Sequence, residues 1–549
     1  MTRICNPTPR TAEPCVFGFS LLRLTAALLL AGTGVPALAQ EFDTGNSDLR
    51  LRWDNNLKYS AMQRLHAPSR KLTAEANQDD GDRNFSRGLV SSRVDLLSEL
   101  DLVYRNIGLR VSGAAWYDEV YNRGNDNDSP QTSNSLSVAH DRFTDSTEEL
   151  HGRKAELLDA LVSGQFAVAD MPLTLRAGQH TLIYGETLFF GANGIAAAQG
   201  PVDVVKGLSV PNTQFKELLM PVPQFSGQLQ INSEFSIGAY YQLEWKKTRL
   251  PAAGSYFSTV DFLGSGSESL LLGPGVAFDK RSDMNARHSG QGGVQLRWRP
   301  RNSEAEYGFY AVRYHDKTPQ IYLLPATATY RWVYPEDIEA YGASFSTVVG
   351  DVNVAGEVSY RTNMPLVSTA QVDLTGSADN HGNPLYAVGR TAHGNLSAIY
   401  AWGDSPLFQS ATITAEIGWN RLLDVTRNAS ALDPNATRDA WGMRFIFEPN
   451  YYQVLPGLDV SVPVGLGYNP QGRSSVVAAF NGGADNGGDF NIGIKGEYLK
   501  NLRLSLSYMQ FFGSANTTLK PLDGGGYAQS FGQALDDRDY LSFSAQYSF

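Results

Sequence analysis

The feature that most constrains this chain is a period-two alternation of apolar and polar residues, repeated through much of its 549 residues. Period two is the signature of a strand with two unlike faces. The last segment shows it best. Leu541, Phe543, Ala545, Tyr547 and Phe549 fall on one face, and Ser542, Ser544, Gln546 and Ser548 on the other. Phe235, Ile237, Ala239, Tyr241, Leu243 and Trp245 oppose Glu234, Ser236, Gly238, Tyr240, Gln242, Glu244 and Lys246. Ala411 to Asn420 and Leu502 to Tyr508 repeat the pattern. Charges at every second position suit a wet interior, whereas the core of a soluble sandwich is dry on both inner faces. Beyond residue 39 no run approaches 18 consecutive apolar residues, so helical membrane spans are excluded.

The connections alternate as well, short then long. Short turns fall at Arg105-Asn106-Ile107, Ala169 to Pro172, Asn232-Ser233, Pro300 to Ser303, Val349 to Asp351, and Lys500-Asn501. Long polar connections lie near residues 61–88, 122–152, 184–222, 249–288, 317–336, 363–390, 424–438, 470–487 and 514–537. Tight turns at one end and long loops at the other are the plan of a transmembrane barrel. The fold class expected is therefore all-β, a transmembrane antiparallel β-barrel of about 18 strands. Sixteen stays open. Pro463 interrupts the candidate strand Leu458 to Tyr468, and proline cannot donate to a ladder. Trp298, Trp402, Tyr104 and Tyr451 fall at strand ends beside the short turns, where aromatic belts form.

The amino-terminal segment reads as a cleaved signal peptide over residues 1–39, followed by one barrel over 40–549. Arg3, Arg10 and Arg23 precede the apolar run Leu24 to Ala31, and Ala37-Leu38-Ala39 supplies a small-x-small cleavage pattern. Its removal takes Lys+Arg from 45 to 42 and Asp+Glu from 56 to 55, so the formal charge moves from -11 to -13. An acidic balance argues against a nucleic-acid partner. Both cysteines, Cys5 and Cys15, lie in the removed piece, leaving neither a disulfide nor a thiolate metal site. The expected location is the outer membrane.

Alternation places Arg50, Arg52, Arg93, Arg110, Arg176, Lys246, Arg297, Arg361 and Arg503 inward, with the acids Asp95, Glu99, Asp101, Glu244, Glu357, Glu416 and Glu497. A wall of mixed sign predicts weak charge selectivity or paired patches. The most unusual stretch runs from Leu173 to Leu229. Its strand points Arg176 and His180 inward, and the connection that follows is too apolar for an exposed loop. Folding of about residues 184–222 into the lumen as a constriction explains it. Gly200 to Gly207 fits a single helical turn with proline early and glycine late. The side chains expected to contact or orient cargo are Arg176, His180, Glu186, Phe189, Phe190, Asp203, Lys206, Phe215, Lys216 and Glu217. The Gly-rich stretches Gly264-Ser265-Gly266 and Asn481 to Gly488 read as flexible surface.

Gly178-Gln179-His180 followed by Tyr184-Gly185-Glu186-Thr187-Leu188-Phe189-Phe190 resembles a segment of the bacterial outer-membrane family catalogued as domain of unknown function 1302. Lys216-Glu217 before Pro221, and Tyr256-Phe257 with Asp261, resemble it too. His180 stands where the family pattern has Gln, and Tyr184 where it has Trp. The resemblance implies a porin-like barrel, with members often encoded near inner-membrane exporters, and no settled substrate. The ending on Phe549 resembles the signature read by the outer-membrane assembly machinery. The partners expected are that machinery, the lipid bilayer with lipopolysaccharide, and an inner-membrane exporter under one reading.

No enzyme is expected. Gly264-Ser265-Gly266-Ser267 lacks the strand-turn-helix setting of a nucleophile elbow. No cofactor, metal or catalytic residue is assigned, and Asn125 to Asp128 reads as a plain turn rather than a calcium loop. The function expected is passage of small molecules, hydrophobic ones included. An exporter's outer-membrane partner and an outer-membrane hydrolase stand as alternatives.

Overall fold

The computed structural model describes residues 40–211, 213, 218–523 and 526–549. Residues 1–39, expected as a signal peptide, and the expected site residues Phe215, Lys216 and Glu217 lie outside the described residues.

Eighteen antiparallel strands close on themselves. They are β1 (Leu49–Arg64), β2 (Gly88–Tyr104), β3 (Ile107–Asp118), β4 (Arg153–Val168), β5 (Met171–His180) and β6 (Val222–Gln230). Next come β7 (Phe235–Gln242), β8 (Gln291–Trp298), β9 (Glu306–Tyr314), β10 (Ile338–Val349), β11 (Val352–Pro365) and β12 (Val388–Trp402). The circuit ends with β13 (Ser410–Arg427), β14 (Asp439–Leu455), β15 (Leu458–Ser461 with Val464–Gln471), β16 (Gly488–Tyr498), β17 (Leu502–Phe512) and β18 (Tyr540–Ser548). Each strand pairs with its sequence neighbour, and β18 closes on β1 from Asn56↔Ser548 to Arg64↔Tyr540. Closure leaves no strand edge, which is what a lipid environment demands of a sheet.

Pro463 breaks β15 where the sequence predicts. The two halves of the strand flank it, and both pair with β14 and with β16. The strand survives because the interruption is local, so eighteen is the count. The strand that begins at Phe235 ends earlier than alternation suggests, at Gln242. Trp245 turns inward against Tyr334, with ring centroids 4.9 Å apart.

The outward faces carry Leu57, Val94, Leu96, Leu109, Phe225, Val294, Val358, Ile417, Ile494 and Leu506, all exposed. An apolar girdle around a closed sheet, with polar residues facing in, is a lipid-facing surface. The inward charges are largely paired, along one strand or between strands of the wall. Arg93 meets Asp95 at 2.7 Å, Arg444 meets Asp489 at 2.7 Å, and Arg503 meets Glu497 at 2.8 Å. Arg110 is shared by Glu99, Asp101 and Asp159.

The long connections differ from the expected polar loops. Those after β7, β9 and β11 build a second, five-stranded sheet from 269–273, 276–280, 320–324, 329–333 and 371–372. Phe262, Tyr330 and Trp332 are buried beside it. Gly264 to Gly266 is packed rather than loose, since Ser265 accepts a backbone hydrogen bond from Ala253. Asn481 to Gly488 also folds in. The Asn481 amide donates to Asn469 at 2.9 Å, and neighbouring Phe480 packs on Phe190. A further core at the outer mouth unites Met62, Val90 and Tyr540 of the wall with Phe85, Tyr121, Phe143, Tyr256 and Phe257 of three loops. Burying each such ring contributes about 1.5–3 kcal/mol.

That mouth carries a pH-sensitive joint. His151, in the loop after β3, is buried, stacks on Tyr121 at 4.8 Å and accepts the Ala252 N–H at 3.2 Å. Burial, reinforced by Arg93 and Arg249, pulls its imidazole down to about 3. The docked form is thus neutral, whereas an undocked imidazole protonates near 6.5. Docking stability is complete above that value and declines as pH falls toward 3. The loss is about 2 kcal/mol at pH 5. Hydrogen exchange of residues 249–257 should accelerate at pH 5 relative to 7.5, after correction for intrinsic rates, and His151→Gln should flatten the dependence. Equal protection at both pH values would refute it.

Candidate functional site

The connection from residue 181 to 221 crosses the lumen from β5 and β6 to the far wall of β11, β12 and β13. Its anchors are inward side chains of those strands. The Glu357 carboxylate accepts the N–H of Glu186 at 2.7 Å and of Ile195 at 2.9 Å. Glu416 accepts Thr187 Oγ1 at 2.8 Å, the N–H of Leu188 at 3.1 Å and of Phe190 at 3.3 Å, and the N–H of Phe189. Arg361 donates to the carbonyls of Ala192, Asn193 and Gly194 at 3.2, 2.6 and 2.8 Å. Asn193 is the keystone. Its amide donates to Asn395 at 2.8 Å and to the Trp419 carbonyl at 3.0 Å, and its oxygen accepts from His393 and Asn420. Two inward carboxylates and one guanidinium therefore hold a loop that is itself nearly neutral. Charge-assisted bonds to backbone are the strong kind.

Local sequence makes this docking possible. Gly185 has φ +94°, and a Cβ there would stand 2.3 Å from a Glu357 oxygen. Gly178 has φ +118°, with the Ala160 carbonyl 2.3 Å from the place of a Cβ. Both glycines of the motif are thus required by the backbone. The expected helical turn exists but is displaced. The helix spans Val204–Ser209, Asp203 caps it by accepting the Lys206 N–H at 2.9 Å, and Gly207 lies inside it. A second arm of the loop thereby reaches back over the wall. Arg249 bridges Asp203 and Glu156, both at 2.5 Å, and Lys58 of β1 donates to the Pro211 carbonyl.

Two cavities flank the docked loop. One, of about 160 Å³ on the outer side, is lined by Leu182, Met220, Met364, Val476, Lys317 and Arg361 among others. The other, of about 390 Å³ on the inner side, is lined by Leu97, Glu99, Arg110, Asp159 and Arg176. His180, Thr181 and Leu219 line both, at the root of the loop.

The expected site residues divide accordingly. Arg176 and His180 face the inner cavity, and among the described residues Arg176 has no ion-pair partner within 4.0 Å. Glu186 meets Arg297 at 3.1 Å, at the edge of the docked segment. Phe190 is buried against Phe480 at 5.4 Å and Phe189 packs beside it, so both hold the loop down. Asp203 and Lys206 belong to the capped helix. Sequence reasoning missed Asn193, His393, Asn395, Tyr314 and Lys317. Inward-facing His393 and Asn395 were accessible from the alternation of β12. Lys317 sits in a long connection, where nothing in the sequence marks it.

One arrangement bears on the hydrolase alternative. His180 donates through Nδ1 to the Gly178 carbonyl at 3.0 Å, and its Nε2 accepts Ser226 Oγ at 2.9 Å. Ser226 sits inside β6 with ladder partners Arg176 and Tyr240 on either side. The neighbouring N–H groups are therefore committed to the sheet rather than free to hold an oxyanion.

A closed eighteen-stranded barrel with an apolar exterior and a loop strapped across its lumen is a porin-like protein of the outer membrane. The chain belongs to the family described as "Protein of unknown function (DUF1302)", whose profile matches residues 20–549. No curated protein matches the sequence. Among solved structures it is similar to Pseudomonas aeruginosa OccD3 (OpdP), at 11% identity over 94% of this chain and 95% of that one, with a TM-score of 0.41. Acinetobacter baumannii OccAB1 gives 11% identity, 93% and 99% coverage and a TM-score of 0.40. The outer membrane channel DcaP of the same organism gives 9%, 93% and 100%, and 0.38.

Proposed function

We propose that this barrel is a selective outer-membrane channel for small molecules that combine an apolar body with an acidic end. The observation that carries the reading is the pair of cavities on either side of the docked loop, both lined by His180, Thr181 and Leu219. A largely apolar outer chamber followed by a charged inner one suits stepwise transfer of an amphipathic cargo. The outer chamber resembles in volume a cavity that accepts a benzene-sized body, about 150 Å³. Two cations flank Tyr314 there. Arg361 donates to its hydroxyl at 3.4 Å, and the Lys317 ammonium lies 5.2 Å from its ring centroid. Burial draws Lys317 down to about 8, which leaves most of it charged at pH 7. Lys317 donates to backbone carbonyls, of Ala197 at 3.2 Å, Ala198 at 3.4 Å and His315 at 3.5 Å. Arg176 would receive the acidic end in the inner chamber.

Liposome swelling with an eight-carbon carboxylate and the matching alcohol tests this. The carboxylate should enter several-fold faster, and Lys317→Met should remove the preference while leaving the barrel heat-modifiable. Equal rates for both solutes in the native protein would remove the acidic-end assignment. Passage of neither would remove the channel itself. Outward movement of lipid-like cargo with an inner-membrane exporter predicts instead a deletion strain that fails in export with uptake unchanged. The Ser226–His180 pair reads as positioning of His180 rather than hydrolysis, and Ser226→Ala should leave transport intact.

A further inference from the structure

Three carboxylates from two outer loops meet in the dry region beneath the mouth. Asp79 and Asp80 come from the connection after β1, and Asp261 from the connection after β7. One oxygen from each lies within 4.8 Å of the others. All three residues are at most 3% exposed. Asp80 is held by a set of neutral donors from a third loop, with Thr132 Oγ1 at 2.6 Å, Asn134 Nδ2 at 2.9 Å and Asn127 Nδ2 at 3.2 Å. Its own N–H donates to Asp261 Oδ2 at 3.1 Å.

The charges do not balance. Arg83 pairs with Asp79 at 2.5 Å and is shared with Asp128 at 3.0 Å. Among the described residues no cation lies within 4.0 Å of Asp80 or Asp261. The adjacent buried network is self-contained, since Arg64 and Arg538 are matched by Asp82 and Asp537. A second observation points to what is missing. Asp79 Oδ1 and Asp261 Oδ1 are fully buried and, among the described residues, have no hydrogen-bond partner. Unpartnered carboxylate oxygens in a dry cluster are costly, and buried charges are otherwise paired or bound to metal.

We propose that Asp79, Asp80 and Asp261 bind one calcium ion that ties the first and fourth outer connections together. The donors are hard oxygens with no histidine or cysteine among them, and the charge left over after Arg83 is that of a divalent ion. Calcium accepts irregular all-oxygen cages at 2.3–2.6 Å, whereas magnesium sheds its waters reluctantly and suits a dry site poorly. Asn125 to Asp128, read from the sequence as a plain turn, is not itself the site. Asn127 serves it from outside, as a donor to Asp80.

The test is calcium titration of the refolded, chelator-stripped full-length protein by calorimetry, with magnesium as comparator. One calcium per chain is expected, with magnesium at least tenfold weaker. Asp261→Asn and Asp79→Asn should each abolish binding, and Asp128→Asn should bind as the native protein does. Removing calcium should expose the first and fourth outer connections to added protease while the barrel stays heat-modifiable. Should a variant fail to fold, the stoichiometry on the native protein still decides. No calcium bound, with both Asn variants folded and as protease-resistant as the native protein, would mean that the carboxyls hold protons instead and would overturn the proposal. Binding that survives in both Asn variants would overturn it too.

Discussion

Replacing Glu416 by Ala should release the lumenal loop and raise single-channel conductance severalfold in a planar bilayer. Glu416 is 1% exposed and accepts from four donors between Thr187 and Phe190. A hydrogen bond to a charged acceptor contributes about 1.5–3 kcal/mol, and the truncation also strands its donors. Because the four act on one carboxylate they are not additive, and a net loss of about 3 kcal/mol is a fair central figure. That shifts the docked-to-free ratio about a hundredfold. Gln at the same position keeps one acceptor oxygen and should fall between. Gly185→Ala attacks the neighbouring anchor by a different route, through a Cβ placed against Glu357. Unchanged conductance in Glu416→Ala, with the barrel folded by heat-modifiability, would show that the loop does not gate the lumen.

The second large effect is expected at the outer mouth. Asp82→Asn should loosen the connections after β1 and β17 without opening the barrel. The Arg64 and Arg538 side chains are at most 1% exposed, and both reach the Asp82 carboxylate, at 2.9 and 3.0 Å. Burial alone would push that carboxyl up, but Arg538 and Arg64 outweigh it and hold it below the usual range. Each guanidinium also ties backbone together. Arg64 donates to the Phe85 carbonyl at 2.8 Å, and Arg538 to that of Ser258 at 2.6 Å. Removing one partner of a buried pair costs about 3–5 kcal/mol, because the remaining charge stays buried. Two guanidinium groups lose their partner here, although Asp537 remains near Arg64 at 3.0 Å. Hydrogen exchange should accelerate in residues 65–87 and 513–539 and stay slow in the strands. Native protection of those loops in the variant would mean that the aromatic core of Phe85, Tyr256 and Phe257 holds the mouth alone.

The site was legible in part. Arg176 and His180 follow from strand alternation, and the inward fold of the 181–221 connection follows from its apolar content. The anchors do not follow. Glu357 and Glu416 read as two inward acids among several, and nothing local distinguishes a carboxylate that binds a loop from one that pairs with an arginine. Phe189 and Phe190 look like cargo contacts in sequence because an aromatic pair serves packing and binding equally well. The outer loops misled for a related reason. Their glycines and polar residues read as loose connections, yet Gly264 to Gly266 is packed, while at the other end the short turns Ala169-Asp170 and Leu499-Lys500 are left-handed without glycine.

What the sequence determined by itself was everything governed by local period. Alternation sets which face of each strand meets lipid, the alternation of short and long connections sets the antiparallel circuit, and Pro463 marks the break in β15. These follow from residues two apart along one strand. What only the tertiary structure decided depends on residues far apart in the chain. Glu416 finds Phe190 across the lumen, 226 positions away, and Asp80 finds Asp261 across the mouth, 181 positions away. Neither pairing leaves a periodic trace, because closing a barrel brings together loops and walls whose spacing in sequence is set by the circuit, not by their chemistry.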